Sequence, residues 1–183
     1  MPEEENMYKI ESALKSKRVI VFLVPSSSYI RSIGKFMGTA ARLNERLCYV
    51  SLSRPYKSLC SYFQKNGIDT KRIFFVDAAT RNPEETGEDE QVVFVSSPKA
   101  LTELGITLSK VVDAGSVQCV IFDSISALLV YEDESTVLRF VHSVISSLAE
   151  KTSAVFILLK DRTGEELLKD LSMFADEVIG IDS

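Results

Sequence analysis

The sequence predicts a three-layer α/β/α sandwich built on a mainly parallel sheet, and three observations carry that expectation. Short apolar runs alternate with segments of helical periodicity along almost the whole chain, the pattern of repeated β-α-β units. The apolar runs lack in-out alternation, most plainly Cys119, Val120, Ile121 and Phe122, so these strands are buried on both faces, as parallel strands are. A length of 183 residues is enough for one domain with helices on both sides of such a sheet.

The elements follow in chain order. Residues 1–5 read as disordered and 8–15 as a short helix, so 1–16 form a tail with a short helix and 17–183 the domain. Residues 18–24 (RVIVFLV) are the first buried strand, stopped by Pro25 and three serines. Over 29–44, Ile30, Ile33, Met37, Ala40 and Ala41 recur at helical spacing. A strand at 47–52 precedes a helix at 55–65, with Pro55 near its first turn and Gly67 just past its end. After a strand at 72–77, the carboxylate-rich stretch 78–90 reads as an exposed, mobile loop.

Residues 92–95 are a short strand, and Ser97-Pro98 is read as cap and first turn of a helix running to about 114. Leu101, Leu104, Leu108, Val111 and Val112 share one face of it. The most apolar strand, 119–122, ends on Asp123, at the edge of an open α/β sheet where ligands bind. A helix at 134–150 carries Val137, Phe140, Val141, Val144, Ile145 and Leu148 as its buried stripe. A strand at 154–159, a helix at 164–173 and a strand at 177–181 complete the order.

Composition narrows the class. A formal net charge of −5 argues against a nucleic-acid surface, which needs clustered Lys and Arg. Cys48, Cys60 and Cys119 are odd in number and widely spaced, which fits reduced, packed thiols in a cytoplasmic protein rather than disulfides. His142 has no second ligand at metal spacing. No apolar run reaches the roughly 18 to 20 residues of a membrane span, and the acidic start of the chain does not read as a secretory signal.

Three stretches stand in order: LCYVSLSRP at 47–55, SPKALTELGITLSKVVDAG at 97–115 and VIFDSISALLVY at 120–131. Together they resemble the KaiC-like branch of the RecA-type P-loop ATPases, over nearly the whole chain from 18 to 181. The most specific piece is Asp123-Ser124-Ile125-Ser126, which resembles the family's second nucleotide motif, where the aspartate helps hold magnesium. The resemblance implies a RecA-like core, assembly at subunit interfaces, and ATP hydrolysis.

The departures from that family are local to the phosphate chemistry. A phosphate loop needs glycines to turn its N–H groups inward, a lysine to neutralise charge, and a Ser or Thr on magnesium. Here the strand runs into Pro25-Ser26-Ser27-Ser28-Tyr29-Ile30, without a glycine. Aligned from the helix that follows, Tyr29 stands where the family has its lysine and Ile30 where it has the metal-binding Thr. Gly34-Lys35 lies more than a turn into the helix. Where members carry a glutamate that polarises the attacking water, this chain has Ser53 and Arg54.

The sequence therefore predicts a catalytically inactive pseudo-ATPase without a required cofactor, which binds ATP and magnesium weakly if at all. Its expected partner is a second copy of itself or an active RecA- or KaiC-like paralogue. Ser26, Ser27, Ser28, Asp123 and Ser124 are the residues of a residual nucleotide site. For Asp123 the readings are a residual magnesium ligand, the sole metal-binding position, or a structural acid capping a nearby turn. For the three serines they are an anion site at a helix N-terminus or a plain N-cap. Tyr29 and Tyr56 are read as packing or as base-stacking rings. Arg54, Lys160 and Arg162 are candidate interface residues, or ordinary solvated cations. A third alternative is an enzyme with a rebuilt site at the same edge.

Overall fold

The computed structural model describes residues 2–82, 84, 89–115, 117–148 and 150–181. Its elements are α1 (Pro2–Ser16), β1 (Val19–Val24), α2 (Tyr29–Leu43), β2 (Leu47–Ser51), α3 (Tyr56–Lys65), β3 (Ile73–Asp77) and β4 (Val92–Phe94). They continue with α4 (Leu101–Ala114), β5 (Cys119–Asp123), α5 (Glu134–Leu148), β6 (Ser153–Leu159), α6 (Glu165–Ser172) and β7 (Glu177–Gly180). Short 3-10 turns lie at Thr70–Arg72, Ile125–Val130 and Lys160–Arg162.

The seven strands form one sheet in the order β4-β3-β2-β5-β6-β1-β7, with every described pairing parallel. The sheet grows one way from β1 through β4, then returns to β5, β6 and β7. Right-handed crossovers place the helices of the two directions on opposite faces. On one face α1, α2 and α3 cover Phe22, Tyr49 and Phe75 with Ile10, Ile33, Phe36 and Phe63. On the other, α4, α5 and α6 cover Val50, Phe122 and Phe156 with Leu104, Leu108, Val141 and Leu167. The unalternating strands are thus apolar on both sides because both sides are core. Among the described residues no helix is long and apolar enough to cross a membrane.

Several expectations shift. Residues 2–5, read as disordered, are the first turn of α1. Proline is accepted in a first helical turn, so an acidic composition concealed a helix start. The helix placed at Ser97-Pro98 begins instead at Leu101. Ser97 O accepts from Ala100 N–H at 3.0 Å and closes a turn, while Ser96 N–H donates to the Glu103 carboxylate at 3.2 Å. Gly67, at φ 72°, ends α3 in the left-handed region that favours glycine. Of the acidic loop, 83 and 85–88 lie outside the described residues.

Candidate functional site

β5 ends on Asp123, which has no solvent exposure. Its neighbour in the sheet is β2, with Ser51 opposite Asp123 and Tyr49 one step further in on the same face. The Tyr49 hydroxyl, inside a fully buried strand, donates to Asp123 Oδ2. A buried tyrosine needs an acceptor for its hydroxyl, and the aspartate supplies it. Tyr29, the first residue of α2, donates its hydroxyl to Asp123 Oδ1 at 2.5 Å. Both carboxylate oxygens are therefore engaged by the chain's own side chains. The peptide bond from Asp123 to Ser124 is cis.

Charge compensation comes from Arg54. Ser51 Oγ donates to Arg54 O and accepts from Arg54 N–H at 3.3 Å, which folds the chain back immediately after β2. That turn sends the arginine side chain over the sheet edge, where Nη2 stands 3.9 Å from Asp123 Oδ2. The guanidinium lies between two aromatic rings, 5.6 Å from the Tyr29 centroid and 5.5 Å from that of Tyr62. Only 21% of its side chain is exposed. Nε and Nη2 have no hydrogen bond among the described residues. Arg54 is thus turned inward, which differs from the expected solvated or partner-facing arginine.

The electrostatics follow from burial. Desolvation pushes the Asp123 carboxyl above the usual carboxylate range, opposed by the hydrogen bonds from Tyr29 and Tyr49 and by Arg54. Burial, then the Asp123 charge, raises both tyrosine hydroxyls, so they stay protonated donors. Arg54 loses some preference for its charged form by desolvation, yet its pKa is raised by the groups around it.

The serine turn is also supplied from within. Ser26 N–H donates to Asp161 Oδ1 at 2.9 Å, and the contacts with Ser26 hold the Asp161 carboxyl below its usual range. Ser28 occupies the N-cap position of α2, but its hydroxyl makes no capping bond and turns to Pro25 O at 3.5 Å. The plain side-chain cap is therefore corrected: the turn is held by a carboxylate from the turn after β6, the strand beside β1. Ser26, Ser27 and Ser28 also line an open cleft of about 910 Å³ with Arg31, Lys35 and Asn66.

The structure brings Asp123, Arg54 and Tyr29 together; the remaining candidates lie outside this cluster. Ser124 is buried and precedes the turn Ile125–Val130 without a side-chain cap bond. Lys160 is exposed and runs beside Gly180, whereas Arg162, also exposed, faces a pocket towards Tyr131. Tyr56 is packing: it is buried against Phe75 at 4.9 Å and donates to Asp89 at 2.6 Å. The three cysteines are free thiols, Cys48 and Cys119 fully inside, and burial pushes Cys119 up to about 11.

Gly34 proves structural. A Cβ there would stand 2.5 Å from the Tyr62 hydroxyl, which donates to Ile30 O at 2.7 Å. Gly34→Ala is expected to push the Tyr62 ring off Arg54 and lower stability by about 1 to 2 kcal/mol despite the better helix propensity of alanine. A thermal melt at or above that of the unsubstituted protein contradicts this.

Residues 24–181 match a protein family described as a family of unknown function (DUF7504). The chain belongs to this family. No curated protein matches the sequence. Solved structures that share the fold include two archaeal proteins. The uncharacterized protein PH0321 from Pyrococcus horikoshii, solved in complex with an unknown peptide, aligns at TM-score 0.68 and 14% identity over 93% of this chain and 82% of its own. The flagellar accessory protein FlaH from Methanocaldococcus jannaschii aligns at TM-score 0.55 and 16% identity, over 89% of this chain and 70% of its own. The architecture of this member of DUF7504 is accordingly RecA-like.

Proposed function

We propose that this member of DUF7504 is a catalytically inactive domain of the KaiC-like branch, with a degenerate phosphate loop, that works in the cytoplasm through protein association. Its partner is a second copy or an active RecA- or KaiC-like paralogue, and its role is regulatory. The observation that carries this reading is the enclosure of Asp123 by Tyr29, Tyr49 and Arg54. A magnesium ion at Asp123 would have to displace two hydroxyl donors and a guanidinium. A phosphate at the serine turn would have to displace Asp161. The residues present do not fit a magnesium nucleotide, and no hydrolytic step is derived through one. The peptide in the PH0321 structure supports an interaction role.

A second reading, weak nucleotide binding without turnover, is favoured by the open cleft beside Ser26, Ser27 and Ser28, which Arg31 and Lys35 line. Calorimetric titration with ATP and magnesium at millimolar concentration separates the two. The expected result is no heat and no phosphate release. Heat that disappears in Asp123→Asn favours the second reading, and steady hydrolysis overturns both.

A further inference from the structure

We propose that a separate pocket at the carboxyl edge of the sheet binds an acidic peptide segment of a protein partner. Carboxylates would sit on Arg81 and Arg162, and an apolar side chain against Val130 and Tyr131. The proposal rests on the protein-association reading and names the surface that performs it.

The pocket encloses about 430 Å³ beyond β2, β3, β4 and β5. β2 and β5 are adjacent, yet the helices that follow them, α3 and α5, cover opposite faces, so a crevice opens between the two connections. Its arginine-bearing turns are held by buried polar groups. Asp77, without solvent exposure, accepts from Ala79 N–H at 2.7 Å and from Thr80 N–H at 2.9 Å, fixing the turn that leads to Arg81. On the opposite wall, buried Ser126 Oγ accepts from Leu159 N–H at 2.8 Å and lies 2.9 Å from Thr163 Oγ1, so the turn carrying Arg162 is tied to the one carrying Val130.

Neither Arg81 nor Arg162 forms a salt bridge or hydrogen bond among the described residues. Arg81 and Arg162 are the charged residues of the described lining, which holds no carboxylate, so two guanidiniums over one cavity point to an anion from outside. The rest of the lining selects among anions. Val130 is 70% and Tyr131 52% exposed beside the cavity, which suits a chain with an apolar side chain next to its carboxylates. A nucleic acid would call for a longer basic track, and the net charge is −5.

The test is selection from a random peptide library against the full chain, with Arg81→Glu and Arg162→Glu as counter-targets. Both positions are exposed, so these variants are expected to keep the melting temperature, which is measured alongside. The expected winners are acidic peptides with an interspersed Leu, Ile or Phe. Their affinity, read by fluorescence anisotropy, falls about tenfold per arginine, the factor that ~1.4 kcal/mol represents. No enrichment, winners without acidic residues, or winners that bind both variants undiminished overturn the proposal. A single-stranded oligonucleotide that binds only when both arginines are present also overturns it, in favour of nucleic acid. The magnesium-ATP titration, run on the same preparations, reports on the underlying reading separately. Turnover there sinks the inactive-domain reading, whereas silence there with no peptide enrichment sinks only the pocket.

Discussion

Replacing Arg54 with methionine is expected to lower the unfolding free energy by about 3 kcal/mol at neutral pH, the lower end of what removing one partner of a buried charge pair costs. The lower end applies because the guanidinium stands 3.9 Å from Asp123 and keeps 21% of its side chain exposed. The damage is to Asp123, which stays fully buried and loses its only described cation. In an Asp123→Asn background there is no charge to strand, so the same Arg54→Met change is expected to cost less than half as much. Urea unfolding of the wild type, both single variants and the double variant measures that coupling. Equal costs in the two backgrounds would mean that Arg54 contributes only stem packing against Tyr29 and Tyr62.

The same series carries a pH signature. Because burial raises the Asp123 carboxyl above its unfolded value, the native state holds its proton at a pH where the unfolded chain has released it. Across that window the native state binds more protons, so this contribution is full below the unfolded pKa and declines as pH rises through the folded one. The stability difference between wild type and Asp123→Asn should therefore shrink as pH rises from about 4, the unfolded carboxyl value. Removing Arg54 disfavours the ionised form further, so in Arg54→Met the decline extends to higher pH. A difference independent of pH would show that Asp123 titrates alike in both states.

Strand and helix order was legible because burial on both faces and helical periodicity each write directly into local sequence. The position of Asp123 was legible for the same reason, as the residue after the least polar strand. What encloses it was not. Tyr29, Tyr49 and Arg54 approach Asp123 from α2, β2 and the turn before α3, and no local pattern records a contact made across 94 or 74 positions. One signal was present. Tyr49 stands among Leu47, Cys48 and Val50 in a strand buried throughout, and its hydroxyl had to find an acceptor. Asp77 and Asp123 stand at the same register on the two strands beside Tyr49, and its hydroxyl bonds to Asp123. The misplaced start of α4 has the opposite origin: Ser97-Pro98 is a sound helix opening, but the turn closed by Ser97 O and the Ser96–Glu103 contact take up those residues first.

Asp77→Ala is expected to be the other costly substitution, lowering stability by about 3 to 4 kcal/mol, since each donor left unsatisfied costs roughly 1 to 3 kcal/mol and water recovers part of that at the edge. Asp77 ends β3 without solvent exposure and serves four donors at once. Oδ1 accepts from Ala79 and Thr80 N–H, and Oδ2 from Thr80 Oγ1 and, at 2.7 Å, from Tyr56 N–H. The last is an orphan donor in the first turn of α3, where a negative charge also suits the helix dipole. Asn in its place keeps one acceptor but turns an amide N–H₂ towards donors, so Asp77→Asn should cost about 2 kcal/mol rather than nothing. The functional consequence is separable from the stability loss. Asp77 sets the turn before Arg81, so at a temperature where Asp77→Asn is still folded, acidic peptide binding should weaken while the Asp123 cluster and its pH signature persist. If both fade together, the two sites are one cooperative unit; if neither changes, the turn before Arg81 is held by something other than Asp77.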